Sequence, residues 1–202
     1  MTAVQFQSRL TFEQFLDYDD GTARFFELLD GIPVAMPEPA ERHEEIIRFL
    51  DAQCQAAIAT ARFDWTPRQR RLIQIPVGGY ANGRRPDLII INQPRSPQAQ
   101  EDRAAYQPPH FIFEVASGNW SDDLKKKVRD YALLQVPEYW VIDYRGQIPE
   151  KDCDRGKGIK TIVFRLDGYR YKRQEYLGDE AIECIVLPSL SLTTNAIIAA
   201  NG

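Results

Sequence analysis

The sequence lacks the segments that would place a chain in a membrane. Its 202 residues contain no uninterrupted run of about 18 apolar residues, the length needed for a membrane span. Residues 1–20 have no apolar core of the signal-peptide type and soon turn acidic. We therefore expect a cytoplasmic protein with no membrane partner.

Cysteine and histidine are both scarce. The cysteines Cys54, Cys153 and Cys184 are widely separated and form no CxxC pair, and the two histidines, His43 and His110, lie far apart. Structural zinc sites and disulfide frameworks need grouped or paired cysteines. The sequence argues against both and favours reduced thiols.

An excess of basic residues is also missing. The chain has 25 Lys and Arg against 29 Asp and Glu, a net charge of −4, and a pI of about 5.3. Dedicated nucleic-acid-binding proteins usually have a basic face. The balance leaves open a local basic groove, or a nuclease in which a divalent metal supplies the positive charge.

Apolar patterning predicts an α/β fold. The runs 86–91, 110–116 and 139–143 are short and nearly continuous, which is typical of strands buried on both faces. A helix is expected at 121–135 with Ser121 as its N-cap, and it would make a βαβ crossover between the last two runs. We expect the three runs to lie side by side in one mixed sheet.

Shorter signals surround this centre. Asp30-Gly31 and Asp167-Gly168 stand between apolar runs and indicate β-hairpins near the two ends of the chain. Apolar spacings of three and four predict a long helix from Glu41 to about Thr60. The other expected elements are a helix at 11–19 capped by Ser8 or Thr11, a strand at 71–77, a surface loop at 93–109, and a strand at 181–187 followed by a small helix. One domain is expected over 1–202, with a core at about 24–144 and a C-terminal hairpin and tail at 160–202.

Two carboxylates fit a purely structural interpretation poorly. Glu114 lies inside FIFEVA, where both neighbours on each side are apolar, and a buried carboxylate is costly unless it is paired or bound to metal. Asp87 comes directly before a second apolar run. Carboxylates on neighbouring buried strands would suit Mg²⁺. The alternatives are an edge strand with Glu114 in water, and a turn role for Asp87.

The helix at 121–135 contains the third candidate. A helical period predicts a buried stripe made of Leu124, Val128, Tyr131 and Gln135. Lys127 falls at the edge of that stripe, whereas Lys125 and Lys126 turn toward solvent. Only Lys127 should then lean against the strand with Glu114. The alternative is a solvated run of lysines whose stems cover apolar surface.

Together these residues read as PD-x₂₆-E-x₁₂-K. The pattern resembles the PD-(D/E)xK nuclease superfamily, and the layout is similar to the Uma-type family of bacterial endonucleases, which has the restriction-endonuclease-like fold. The matching stretches are FFELLDGIPVAMPEPAERHEEIIRFL, RRPDLIII, FIFEVASGNWSDDLKKKVRDYALLQVPEYWVID and VFRLDGYRY. The resemblance implies a mixed central sheet flanked by helices, with added N- and C-terminal hairpins.

The resemblance also implies roles for single residues. Asp87 and Glu114 match the motif acids, while Ala116 stands where the usual lysine would be. Lys127 and Tyr131 match a K-x₃-Y pattern in the following helix that supplies the lysine instead. Among accessory positions, Glu27 would add a metal ligand or hold a water, and His43 would act in the site or serve as a capping or packing residue.

The implied activity is metal-assisted hydrolysis of a phosphodiester in nucleic acid, with DNA as the expected substrate. Asp87, Glu114 and the Val115 carbonyl would hold Mg²⁺ or Mn²⁺, and Lys127 would position the attacking water or stabilise the transition state. Substrate contacts are expected from Arg84, Arg85 and Ser117, within a basic surface that also includes Arg68, Arg70 and Arg71. The alternative for these arginines is ordinary solubility.

Two other functions stay open. A catalytically silent nuclease fold could act as a binding or interaction module, since a fold does not fix a function. A small-molecule hydrolase could use the same carboxylates, although the chain has no GxSxG motif. We also expect a homodimer, because cutting two strands suits paired sites and two-fold dimers are the commonest oligomers. Aromatic anchors would come from Trp65, Tyr106 and Trp120.

Overall fold

The computed structural model describes residues 9–94 and 103–200. Its helices are α1 (Phe12–Leu16), α2 (Glu41–Ala61), α3 (Lys127–Leu133) and α4 (Thr194–Ala199). Its strands are β1 (Phe26–Leu29), β2 (Ile32–Ala35), β3 (Trp65–Gln69), β4 (Leu72–Ile75), β5 (Asn82–Arg84), β6 (Leu88–Asn92), β7 (Ala104–Ala105), β8 (Phe111–Val115), β9 (Glu138–Asp143), β10 (Lys160–Asp167), β11 (Arg170–Tyr176), β12 (Ala181–Ile182) and β13 (Leu192–Thr193).

The centre of the molecule is a mixed sheet in the order β11-β10-β9-β8-β6-β3. The three apolar runs of the sequence form β6, β8 and β9, which are direct neighbours, as expected. β8 and β9 are parallel and are joined through α3, whereas β6 pairs antiparallel with β8. Continuous apolar runs form these strands because helices and connecting segments cover both faces of the sheet.

Strand alternation divides the central sheet into two faces. Phe111, Phe113 and Val115 pack with α2 and the C-terminal tail on one face. Ile112 and Ala116 belong to the other face, which Tyr131 of α3 covers. Because side chains alternate along a strand, Glu114 lies on the α3 face. Asp87 and Ile89 share that face by the same rule, so both carboxylates are turned toward the helix with the lysine.

A second sheet, ordered β2-β1-β5-β4-β7, packs with α1. The predicted hairpin joins β1 and β2, and Asp30 and Gly31 both have positive φ angles, of 50° and 76°. A two-residue turn of this kind matches the twist of the strands. Thr11 caps α1 in a capping box with Gln14, which confirms one of the two predicted caps; Ser8 lies outside the described residues.

The C-terminal hairpin of β10 and β11 extends the central sheet through β9. Buried Glu138, at the start of β9, accepts hydrogen bonds from the N–H groups of Ile185 and Val186, 2.8 and 3.1 Å away. The tail is thereby held against the sheet. The fold class is the one expected: a mixed sheet flanked by helices, with hairpins near both ends of the chain.

Several local predictions were wrong. Ser121 makes no side-chain cap, and the chain enters α3 through a π-helical turn at Asp122–Lys126. Residues 104–105, placed in a loop by their composition, form β7 beside β4; residues 95–102 of that loop lie outside the described part. The expected strand at 181–187 is reduced to β12. Among the described helices, none combines the length and apolar character needed to span a membrane.

Candidate active site

The π-helical turn decides which side chains of the helix face the sheet. The Lys127 N–H bonds to the Asp122 carbonyl, five residues earlier, so one extra residue is inserted before the regular helix begins. Asp123, Lys127 and Tyr131 are buried, whereas Leu124 and Val128 are only half-buried. The stripe expected from a regular period is therefore displaced, and Lys127 lies at its centre rather than its edge. Such π turns are frequent at functional sites.

The prediction that Gln135 belongs to the buried stripe is wrong. It is exposed and has a φ of 59°, because α3 ends at Leu133 and the chain turns toward β9. Lys125 and Lys126 are exposed, as expected.

Asp87 is buried, and residues of β8 and α2 hold its carboxylate. Its Oδ2 accepts a hydrogen bond from the Val115 N–H at 2.8 Å and lies 3.2 Å from His43 Nε2. The first bond fixes Asp87 against the end of β8, next to Glu114. The second comes from the start of α2, and it gives His43 a contact within the site in addition to its packing.

Glu114 is bonded by two residues of the following helix. The Tyr131 hydroxyl donates to Oε1 at 2.6 Å, and Lys127 Nζ lies 2.9 Å from Oε2. Lys127 also lies 3.0 Å from Asp123 Oδ1, a partner that the sequence interpretation missed. The spacing of four between Asp123, Lys127 and Tyr131 was the available signal, since residues four apart share a helix face.

These contacts set the charge states of the site. Burial raises the pKa of Glu114 well above its usual value, and the nearby carboxylates of Asp87 and Asp123 add to the rise, against the opposing charge of Lys127. Burial acts in the same direction on Asp87, but the hydrogen bond and charge of His43, with Lys127 and the Val115 N–H, outweigh it and lower its pKa. Burial alone would lower the pKa of Lys127, yet its acidic neighbours raise it well above the usual value. The acidic neighbours of Lys127 therefore favour its charged ammonium form.

Glu27 and Arg84 form a second network next to these residues. Arg84 Nη1 lies 2.9 Å from Glu27 and 2.8 Å from Asp122, and its Nε lies 2.7 Å from Asp130. The other Glu27 oxygen accepts the Arg85 N–H at 3.0 Å. The Arg84 side chain is only 3% exposed, and its contacts brace β1, β5 and α3 against one another. The substrate contact expected from the sequence stays a prediction.

The site opens into a cleft of about 1180 Å³. Asp87, Glu114, Lys127, His43 and Glu27 all line it, and so do Val115 and Ser117 at the end of β8. The cationic side chains along it are Arg24, Arg70, Lys125, Lys126, Lys127 and Arg145. Of the arginines proposed for substrate approach, only Arg70 is among them. The guanidinium of half-buried Arg85 is bonded to backbone carbonyls of Phe26 and Arg70.

The donor set fits a hard divalent cation. Asp87 and Glu114 offer oxygen ligands at one end of the cleft, and Mg²⁺ characteristically uses one or two carboxylates together with water and substrate oxygens. Within 9–94 and 103–200, no cluster of three or more acidic, histidine or cysteine side chains is arranged to enclose a metal.

The profile of the Uma2 family, described as "Putative restriction endonuclease", matches residues 12–195. Among solved structures, one described as a "putative nuclease belonging to DUF820" from Anabaena variabilis superposes with a TM-score of 0.69 at 14% identity, covering 94% of this chain and 98% of that chain. At that identity the similarity shows a shared fold. No curated protein matches the chain. Because the family profile spans most of the sequence, the chain belongs to the Uma2 family, whose description indicates a nuclease-like function.

Proposed function

We propose that the protein is a metal-dependent endonuclease that hydrolyses phosphodiester bonds in nucleic acid, with DNA as the substrate. The observation that carries this proposal is the buried Lys127 ammonium, 2.9 Å from Glu114, in a cleft that Asp87 also lines. The lysine comes from the helix after β8, yet it reaches the motif glutamate. A cytoplasmic location and a homodimer are part of the same proposal.

Asp87, Glu114 and the Val115 carbonyl would hold Mg²⁺ or Mn²⁺. When bound, such an ion supplies a water of lowered pKa and neutralises charge on the phosphate. The chain holds Asp87 ready through His43 and the Val115 N–H, and it holds Glu114 through Tyr131. Fixed ligands of this kind need little rearrangement as charge develops.

Lys127 has the geometry of a group that positions a water or stabilises the transition state. Contacts with Glu114 and Asp123 hold its ammonium in place before substrate binds. A buried donor that is already in place stabilises developing negative charge more strongly than one in water. Lys127 would therefore donate to the attacking water or to a phosphate oxygen.

The charges in the cleft favour a role for the metal in substrate binding as well. The acidic side chains that line it are Glu27, Glu38, Asp87, Glu114, Asp122 and Asp123, equal in number to the cationic ones. The cleft alone therefore has little attraction for a polyanion. A divalent cation between the carboxylates would make it positive, so nucleic-acid binding should depend on metal.

The proposal is tested with circular DNA, both single-stranded and supercoiled, because an endonuclease cuts a circle that has no ends. We expect cutting with Mg²⁺ or Mn²⁺, and calorimetric binding of Mn²⁺ to the free protein. Asp87→Asn should lose both, and Asp179→Asn, on the exposed surface, should lose neither. Mn²⁺ binding without cutting of either circle would support the silent binding module instead.

A further inference from the structure

The reactive groups lie at the floor of the cleft. Asp87 is 6% exposed, Glu114 2% and Lys127 7%, so a scissile phosphate must descend to reach them. The cleft's volume of about 1180 Å³ is close to that of pockets that enclose one drug-sized ligand, which run to about 1,000 Å³. That space accommodates a few nucleotides of one strand rather than the body of a duplex.

The part of the lining that comes from the β1–β2 hairpin offers apolar surface. Phe25 is 45% exposed and Val34 is 42% exposed, and both line the cleft with Leu29 and Met36. The guanidinium of Arg70 lies 5.4 Å from the centre of the Phe25 ring. A duplex has its phosphates on the outside and its base faces stacked inside, so it offers no base face to this apolar part of the cleft. Aromatic side chains beside cations are typical of proteins that stack unpaired bases.

Polar and cationic side chains line another part of the cleft, in addition to its acidic residues. Ser117, Lys125 and Lys126 come from the segment between β8 and α3, and Arg145 follows β9. Arg145 is exposed and stacks over Tyr144 at 5.0 Å. No carboxylate of the described residues forms an ion pair with it, so its charge is available to a phosphate. The bases of one strand could thus stack on the hairpin while its phosphates contact these cations.

Resting on the proposed function, we infer that the cleft takes an unpaired strand of nucleic acid, with Phe25 as the stacking surface for a base next to the scissile phosphate. Phe25 is then a residue that determines substrate class. Apolar side chains in this position would contribute little to binding a paired duplex.

The test uses a DNA with one duplex arm and one single-stranded arm, cut in the presence of Mn²⁺. We expect cuts in the single-stranded arm at a rate about tenfold or more above those in the duplex arm. In fluorescence anisotropy with Ca²⁺, Phe25→Ala should weaken binding of a short single strand by about tenfold, the order of one base–aromatic stack. It should leave the weaker binding of a duplex unchanged.

The control is Tyr169→Ala, which removes an aromatic ring that is 85% exposed in the β10–β11 turn, away from the cleft. It should bind both DNAs like the unchanged protein. Equal cutting of the two arms would overturn the inference and leave the endonuclease proposal standing, and so would unaltered binding by Phe25→Ala. If neither arm is cut, the endonuclease proposal fails. The relative binding of single-stranded and duplex DNA, measured by anisotropy, still decides the inference.

Discussion

Three successive lysines of one helix differ mainly in what surrounds them. Lys125 and Lys126 have side chains that are 61% and 70% exposed, whereas that of Lys127 is 9% exposed and touches two carboxylates. Fixed position, rather than charge alone, distinguishes Lys127. The same burial also makes it structurally important, because its removal leaves Glu114 and Asp123 buried without their partner.

We expect Lys127→Ala and Lys127→Gln to lower the metal-dependent cleavage rate by on the order of 10²-fold or more, as loss of other transition-state donors does. Loss of a partner from a buried ion pair costs about 3–5 kcal/mol, so thermal unfolding must be followed in parallel. Initial rates are measured at a temperature at which each variant is folded.

The control for Lys127 is Lys172→Ala, which removes a charge that is 80% exposed on β11. From the sequence alone, Lys126→Ala would serve and should do almost nothing. Because Lys126 lines the cleft, its removal instead tests attraction of substrate and should raise KM modestly. Cleavage by folded Lys127→Gln at the rate of the Lys172 variant would refute a catalytic role for Lys127.

His43 acts on the site through Asp87 in our interpretation. Its Nε2 lies 3.2 Å from Asp87 Oδ2, and residues that hold a metal ligand in place typically contribute 10–100-fold to metal affinity. We therefore expect His43→Ala to weaken Mn²⁺ binding by about 10–100-fold in calorimetry. The control is the same substitution at the other histidine, His110, which stacks on Trp65 away from the cleft. A His43 variant with unchanged Mn²⁺ affinity would leave only a packing role.

At the scale of elements, Arg84 and the π-helical turn act together. Arg84 joins β5 to Glu27 of β1, to Asp122 of the turn and to Asp130 of α3. The turn sets the phase of the helix, and these bonds hold the helix against the hairpin sheet. This arrangement gives Lys127 its direction toward Glu114.

The β10–β11 hairpin contains a fully buried ion pair. Lys160 Nζ lies 2.8 Å from Glu175 Oε2, and neither side chain is exposed. Glu175 also accepts the N–H groups of Asp154 and Arg155 at 2.9 and 3.0 Å. Burial opposes ionisation, but Lys160 and these backbone donors outweigh it and lower the pKa of Glu175 from its usual 4.5. The pair thus ties the loop before β10 to the sheet.

We predict that Glu175→Gln reduces the free energy of unfolding by about 3–5 kcal/mol near neutral pH, the usual cost of breaking a buried pair. Because the folded-state pKa is lowered, the stabilisation is present above pH 4.5 and is lost as pH falls through the lower folded-state value. The difference between the two proteins in denaturant unfolding should therefore shrink in acid.

The exposed pair of the same hairpin is the control for Glu175. Lys172 and Asp167 are 2.7 Å apart and 80% and 63% exposed, and such surface pairs contribute little. Asp167→Asn should leave the unfolding curve almost unchanged. A Glu175 variant as stable as the Asp167 variant at neutral pH would show that the buried pair does not hold the loop.

At the scale of the whole molecule, the edges of the central sheet limit how two copies could meet. One edge strand, β3, contains Pro67, and the other, β11, contains Arg170, Lys172 and Arg173. Proline and charge on edge strands oppose pairing with another chain. A dimer should therefore use other surfaces. Of the three expected aromatic anchors, Tyr106 is 56% exposed, while Trp65 and Trp120 are half-buried.

We predict a homodimer, with a light-scattering mass about twice the 23.2 kDa of the chain at micromolar concentration. Tyr106→Ser should shift the equilibrium toward the monomer if this ring is an anchor, and Tyr169→Ser serves as the exposed aromatic control. A mass of 23.2 kDa for the unchanged protein would exclude the dimer at that concentration.

Local patterns in the sequence are enough to predict the central strands and to single out Asp87, Glu114 and Lys127 as candidate site residues. Apolar runs identified β6, β8 and β9 because strands covered on both faces exclude polar residues, and Glu114 was conspicuous as the exception. Asp30-Gly31 identified a hairpin because its turn needs positive φ. These signals are local, and local chemistry fixes them.

Which groups surround each charge depends on contacts between segments that are distant in the sequence. A regular helical period predicts Lys127 at the edge of the buried stripe, since a π turn leaves no clear mark in the sequence. From the sequence, Arg84 is expected in an exposed basic surface. In the folded chain, Glu27, Asp122 and Asp130, from three other elements, surround it. An ion pair forms only where distant segments of the chain come into contact. The energetic cost of burying its charges therefore depends on how the whole chain packs.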